Sequence, residues 1–152
     1  MTGDDMTDGL PRQRVTLITL GVADLARACD FYAAWGWVPH PASQEGVAFY
    51  QMNGAALALF GLHELAEDQG CPDAPLGTGA MTLAQNCRDD DAVDRVFAAA
   101  IAAGATSLQP PRKVFWGGYS GYFADPDGHV WEIANNPFWP LDADGRLTLP
   151  SA

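Results

Sequence analysis

Apolar and polar positions alternate over residues 15–22, "VTLITLGV", a period of two that predicts a β-strand. The period then lengthens: Leu25, Ala28, Phe31, Tyr32 and Trp35 recur at helical spacing behind Asp24, a residue suited to capping a helix, and Gly36 ends the run. A short extended piece, "WVPH", precedes "VAFYQ" and "AALALF", which flank Met52-Asn53-Gly54, and Asn-Gly is a strong hairpin signal. The order is β-α-β-β-β. It then repeats, with "MTLAQN" as strand and a helix from about Asp90 that sets Val93, Val96, Phe97, Ala100 and Ile101 on one face before Gly104. An extended "TSLQ" follows, then a hairpin "GYFA"/"HVWEIA" turning on Asp125-Pro126-Asp127-Gly128.

The expected fold is therefore α+β, two tandem β-α-β-β-β modules in one domain over residues 14–139. The modules run about 14–60 and 79–139, joined by a linker, 61–78, with one helical turn at "HELAED"; residues 1–13 read as a flexible tail and 140–152 as a second tail. Laid over each other, the halves align Leu17 with Thr82, Phe49 with Phe123, Gly54 with Gly128 and Ala58 with Glu132.

Composition narrows the function. No apolar run is long enough to cross a bilayer, and the acidic N-terminus lacks the apolar core of a secretory signal, so a soluble cytoplasmic protein is expected. Eight basic against 19 acidic residues leave a net charge of −11, which disfavours nucleic acid and anionic membrane as partners and favours a cationic ligand, although the same charge also serves solubility. Cys29, Cys71 and Cys87 show no Cys-x-x-Cys spacing and suggest neither a zinc site nor a disulfide framework.

Two stretches, "GVADLARACDFYAAWGW" and "GYFADPDGHVWEIANNP", resemble the vicinal oxygen chelate superfamily, which includes glyoxalase I, extradiol dioxygenases and the fosfomycin- and bleomycin-resistance proteins. The resemblance covers residues 14–139 and implies a curved mixed sheet around a ligand cleft with the helices on its convex side. In metal-binding members four cleft strands each supply a ligand; the matching positions here are Leu17, Ala58, Thr82 and Glu132. Leu and Ala offer no lone pair and a Thr hydroxyl is a weak donor, so neither a metal nor another cofactor is expected. His40, His63 and His129 fall in a connector, the linker and beside a turn, and read as structural or solvated.

Alternation around those positions sets Leu17, Thr19, Ala56, Ala58, Thr82, Ala84, Asn86, Val130 and Glu132 inward. Pairing across the Asp125–Gly128 turn puts Gly121 opposite Glu132, with Tyr119 and Phe123 on the same face and Trp116 near the rim. The candidate ligand contacts are thus Glu132, Trp116, Tyr119, Phe123, Thr82, Asn86 and Thr19 around an apolar cleft. Three readings stay open: a metal-independent small-molecule binding protein, an enzyme of lyase or isomerase type using Glu132 as acid or base, and a Glu132 that is hydrogen-bonded without chemical work. A homodimer is expected, its modules pairing within a chain or between two.

Overall fold

The computed structural model describes residues 5–151. A small hairpin, β1 (Met6–Thr7) and β2 (Leu10–Pro11), precedes the first module: β3 (Leu17–Val22), α1 (Leu25–Trp35), β4 (Val47–Gln51) and β5 (Ala56–Gly61). After α2 (Leu62–Asp68) comes the second: β6 (Thr82–Asn86), α3 (Asp90–Ala103), β7 (Thr106–Lys113), β8 (Tyr119–Ala124) and β9 (Val130–Asn135). The first sheet has the order β3-β5-β4 and the second β6-β9-β8-β7, each with one parallel pair, β3 with β5 and β6 with β9. The tandem α+β architecture is the expected one.

The helices form where caps and periodicity agree. The carboxylates of Asp24 and Asp89 accept from the N–H of Arg27 and Ala92, and Gly36 and Gly104 close each helix in the left-handed region, φ 110 and 115. Ala28, Phe31, Tyr32 and Trp35 of α1 are buried, as are Val93, Phe97 and Ala100 of α3. Burying each large side chain of this kind contributes about 1.5–3 kcal/mol.

Three elements depart from expectation. "WVPH" forms no strand; one backbone bond, His40 N–H to Phe49 O at 2.7 Å, and the packing of Trp37 on Tyr50 tie it to β4. Conversely, β7 runs through Pro110 and Pro111 to Lys113, its register to β8 broken by irregularities between Ser107 and Gln109 and between Gln109 and Arg112. Proline cannot donate to a ladder, and this is an edge strand, where that loss is tolerated. The helical turn expected in the linker is a seven-residue helix, α2.

One core unites the modules. Leu20, Val22, Tyr50, Leu57 and Leu59 of the first sheet share it with Phe123, Trp131 and Ile133 of the second, and α1 lies between. Trp35 meets Trp131 and Phe123 edge-on at 5.3 and 5.4 Å. Both sheets thus turn their helix-side faces inward, so the opposite faces, carrying Leu17 and Ala58 on one sheet and Thr82 and Glu132 on the other, look outward. Among the described residues no helix is long and apolar enough to cross a membrane.

Candidate functional site

The outward face of the second sheet is set by its register. On β6 and β9, Thr82 stands beside Val130 and Ala84 beside Glu132, the alternation expected. Across β8 and β9 the partner of Glu132 is Tyr122, and Gly121 pairs with Ile133. The cause is the turn. Asp125 N–H bonds to His129 O and Gly128 N–H to Asp125 O, each at 2.9 Å, which closes a loop one residue longer than the four-residue turn assumed from sequence. Gly128 takes φ 92, the left-handed residue of a type I turn with a bulge. One extra residue shifts the pairing by one and exchanges the faces of β8.

Two expected contacts therefore move. Phe123 is fully buried, packed on Phe31, Trp35, Phe97 and Trp131 on the helix side. Tyr119 shares that face and donates to Asp94 of α3 at 2.6 Å, a bond that with burial pushes its pKa up to about 12. Gly121 leaves room for the irregular β7 instead of for the carboxylate, since a Cβ there would lie 2.8 Å from Pro111 N. Trp116 lies on the β7–β8 loop, 37% exposed, its ring over Gly118 where a Cβ would overlap it at 1.9 Å.

Tyr122 was missed by sequence reading. Its hydroxyl donates to Glu132 Oε2, and that bond, followed by burial and the carboxylate charge, raises the Tyr122 pKa to about 12. Tyr122 is thus the protonated phenol at neutral pH, its hydroxyl held on a Glu132 side-chain oxygen. Glu132 forms no ion pair with a described residue. Register adds Gln109 opposite Tyr122, and Arg112 opposite Ser120, toward the far edge of the sheet.

The outward face of the first sheet is apolar. Leu17 pairs with Ala56, and Ala58 stands between Thr19 and Phe49. Leu17 is 45% exposed, and Val15 and Met81 at the adjoining strand starts are more so. Thr19 and Asn86, both half-buried, also line clefts at the module junction, Thr19 beside His129 and Asn86 beside Trp37. Thr82, Ala84, Asn86 and Glu132 come together on one sheet, while Thr19, Leu17 and Ala58 sit on the other.

The donor chemistry at the four family positions does not fit a divalent cation, since Leu17 and Ala58 present only hydrocarbon. Among the described residues no cluster of three His, Cys, Asp or Glu side chains could hold a metal ion. The histidines have other partners: His40 Nδ1 accepts from Ala42 N–H, His63 Nε2 lies 3.2 Å from Glu67, and His129 Nε2 meets Gly21 O at 2.7 Å.

A buried chain of hydrogen bonds joins the site's hairpin to the first module. Trp131 Nε1 donates to Tyr32 Oη at 3.0 Å, and Tyr32 donates to Asp125 Oδ2 at 2.7 Å. Asp125, 4% exposed, also accepts from Asp127 and His129 N–H at 2.9 Å. Asp127 takes Ala23 N–H at 2.8 Å and the Arg27 guanidinium at 3.0 Å. The turn that fixes the Tyr122–Glu132 register is thus anchored on α1.

Residues 14–133 match the family model described as the glyoxalase/bleomycin resistance protein/dioxygenase superfamily. An uncharacterized protein of Mycobacterium tuberculosis is 31% identical over 121 residues, 75% of this chain and 69% of the relative. The crystal structure of a glyoxalase-related enzyme from Fulvimarina pelagi is similar over 92% of this chain and 100% of its own, at 42% identity and TM-score 0.85. A lactoylglutathione lyase from Agrobacterium tumefaciens, 21% identical, shares the fold at TM-score 0.64 over 86% of this chain and 99% of its own.

Proposed function

The chain belongs to the glyoxalase/bleomycin resistance protein/dioxygenase superfamily, and from that premise we propose that it binds a small molecule, without a metal, against Glu132 on the outward face of its second module. The observation that carries this reading is the Tyr122–Glu132 pair: a carboxylate, oriented by a phenol, among Ala84, Val130 and Thr82, and in no ion pair with a described residue. Such a group recognises a cationic or hydrogen-bond-donating part of a ligand. Thr82 and Asn86 extend the polar lining, and Trp116 stands on the loop beyond.

A second copy of the chain completes the site. One outward face is polar around Glu132 and the other is apolar, built from Leu17, Ala56, Ala58, Phe49 and Phe60. Within a chain they point apart, because the helix-side faces share a core. Setting the first module of one chain against the second of another encloses a cleft with one apolar and one polar wall. It also covers Val15, Leu17 and Met81, which a lone chain leaves exposed. The ligand that fits is amphipathic, with an aromatic or aliphatic body and a donor head.

Catalysis is the second reading, favoured by the Fulvimarina relative, which is described as an enzyme. Glu132 then accepts or returns a substrate proton, and Tyr122 positions it. The test is a thermal-shift screen of cationic aromatic and glycopeptide-like compounds, followed by calorimetry on wild type and Glu132→Gln. Losing a charge-assisted hydrogen bond of about 1.5–3 kcal/mol weakens a true ligand roughly 10- to 100-fold. Equal affinity in both proteins removes Glu132 from the site, and turnover of a hit by wild type alone establishes the enzyme.

A further inference from the structure

A pocket of about 480 Å³, within the range of small-molecule sites, lies where the two sheets meet, between α2, the linker after it and the strands β3, β6 and β9. Gly21 sets its roof: a Cβ there would lie 2.8 Å from Leu62 Cδ2 and 3.1 Å from Leu65 Cδ2, so the missing side chain lets α2 sit close on β3. The linker from Leu76 to Met81 forms a wall and turns at Gly79 in the left-handed region, φ 100. His129 Nε2, meeting Gly21 O at 2.7 Å, ties the start of β9 to β3 beside it.

The lining is aliphatic. Leu20, Leu62, Leu65, Leu76, Met81 and Val130 dominate it, and among the described residues no Phe, Tyr or Trp and no Asp, Glu, Lys or Arg lines the pocket. An aromatic body entering it finds no phenyl, phenol or indole ring to pair with, and a charge buried there finds no counter-ion. A hydrocarbon chain needs neither, and gains by leaving water.

The pocket adjoins Glu132. Val130, one of its lining residues, lies two residues from Glu132 on the same face of β9, about 7 Å along the strand. A molecule whose head rests on Glu132 can thus run over Val130 and bury its body under α2. The Glu132 carboxylate, in no ion pair with a described residue, selects a cationic head. We infer that the ligand is a primary alkylamine, its ammonium on Glu132 and its aliphatic chain in the pocket under α2, an inference that rests on Glu132 being the head contact as proposed above. One subunit then holds both ends of the ligand.

Butylamine, hexylamine and octylamine are the probes, titrated by calorimetry, with phenethylamine, which has as many carbons as octylamine, as the aromatic comparator. Each added methylene should tighten binding about fourfold until the pocket is full, at one ligand per chain. Phenethylamine should bind more weakly than octylamine. Ala80→Trp, at an exposed position on the pocket wall, and Leu76→Asn, which sets an amide there, should both flatten the series with the circular dichroism spectrum unchanged. Glu132→Gln should weaken every member by the same factor and keep the rise per methylene. A flat wild-type series, a rise that both wall variants leave unaltered, or tighter binding of phenethylamine overturns the inference. The two readings fail differently. A flat series still weakened by Glu132→Gln removes the pocket alone, whereas a rising series that the wall variants flatten, equal in wild type and Glu132→Gln, keeps the chain under α2 and removes Glu132.

Discussion

Tyr32→Phe removes a single oxygen from the centre of the molecule. That oxygen donates to Asp125 at 2.7 Å and accepts the Trp131 indole N–H at 3.0 Å. Trp131 is 4% exposed, so its N–H is left buried without a partner, at about 1–3 kcal/mol. Asp125 is equally buried and loses one of three donors; a hydrogen bond to a charged group contributes about 1.5–3 kcal/mol. The losses overlap, because Asp125 keeps the N–H groups of Asp127 and His129, and about 3 kcal/mol is expected in total. For a chain of this size that corresponds to a fall in Tm of about 6–12 °C. Urea unfolding followed by far-UV circular dichroism measures it, with the m-value checked for constancy. A cycle with Asp125→Asn should return a coupling above about 0.5 kcal/mol. A loss below that value, or strict additivity, would refute the chain of bonds linking α1 to the hairpin turn.

Other outcomes follow from single positions. All four tyrosines have pKa values above the ordinary 10.0, Tyr32 and Tyr50 chiefly through burial and Tyr119 and Tyr122 through carboxylate partners that push each to about 12. Phenolate absorbance should therefore stay nearly flat through pH 10. A raised folded pKa means stability is whole below the unfolded value and lost as pH climbs through about 12, so unfolding should set in over that window; a normal phenolate titration at pH 10 in folded protein contradicts this. Gly128→Val forces φ 92 on a β-branched residue and sets its Cβ 3.0 Å from Thr78 Oγ1, which should cost about 1–3 kcal/mol by urea unfolding. Gly118→Ala should displace the Trp116 ring, read as a change in tryptophan emission with little change in circular dichroism.

Much of this architecture was legible because it is local. Asp24 and Gly36 bound α1 as their chemistry requires, and parity alone placed Thr82, Ala84, Val130 and Glu132 on one face. The face of β8 was not legible, since it depends on counting the turn: Asp-Pro-Asp-Gly suits a four-residue type I turn, and only the Asp125–His129 pairing reveals the fifth residue. Had Gly128 been read as the left-handed bulge residue, Tyr122 would have been found. Nor could sequence show that α1 sits between the sheets, because an apolar helical stripe does not say which sheet it covers. Phe31 and Trp35 look like residues of the first module alone, yet they pack on Phe123 and Trp131 of the second. That packing turns the two outward faces apart and makes the proposed site a matter between chains.

Mixed dimers test that claim most directly. One chain carries Glu132→Gln and keeps its apolar wall; the other carries Leu17→Asp at a 45% exposed position, which spoils that wall, and keeps Glu132. If each site is built from the first module of one chain and the second of its partner, the mixed dimer holds one intact site and one doubly damaged. Titration with a compound retained from the screen should then give one ligand per mixed dimer at wild-type affinity, while each variant alone binds weakly. A mixed dimer that binds no better than its parents, or a wild-type chain that binds the compound as a monomer in sedimentation, would contradict the account.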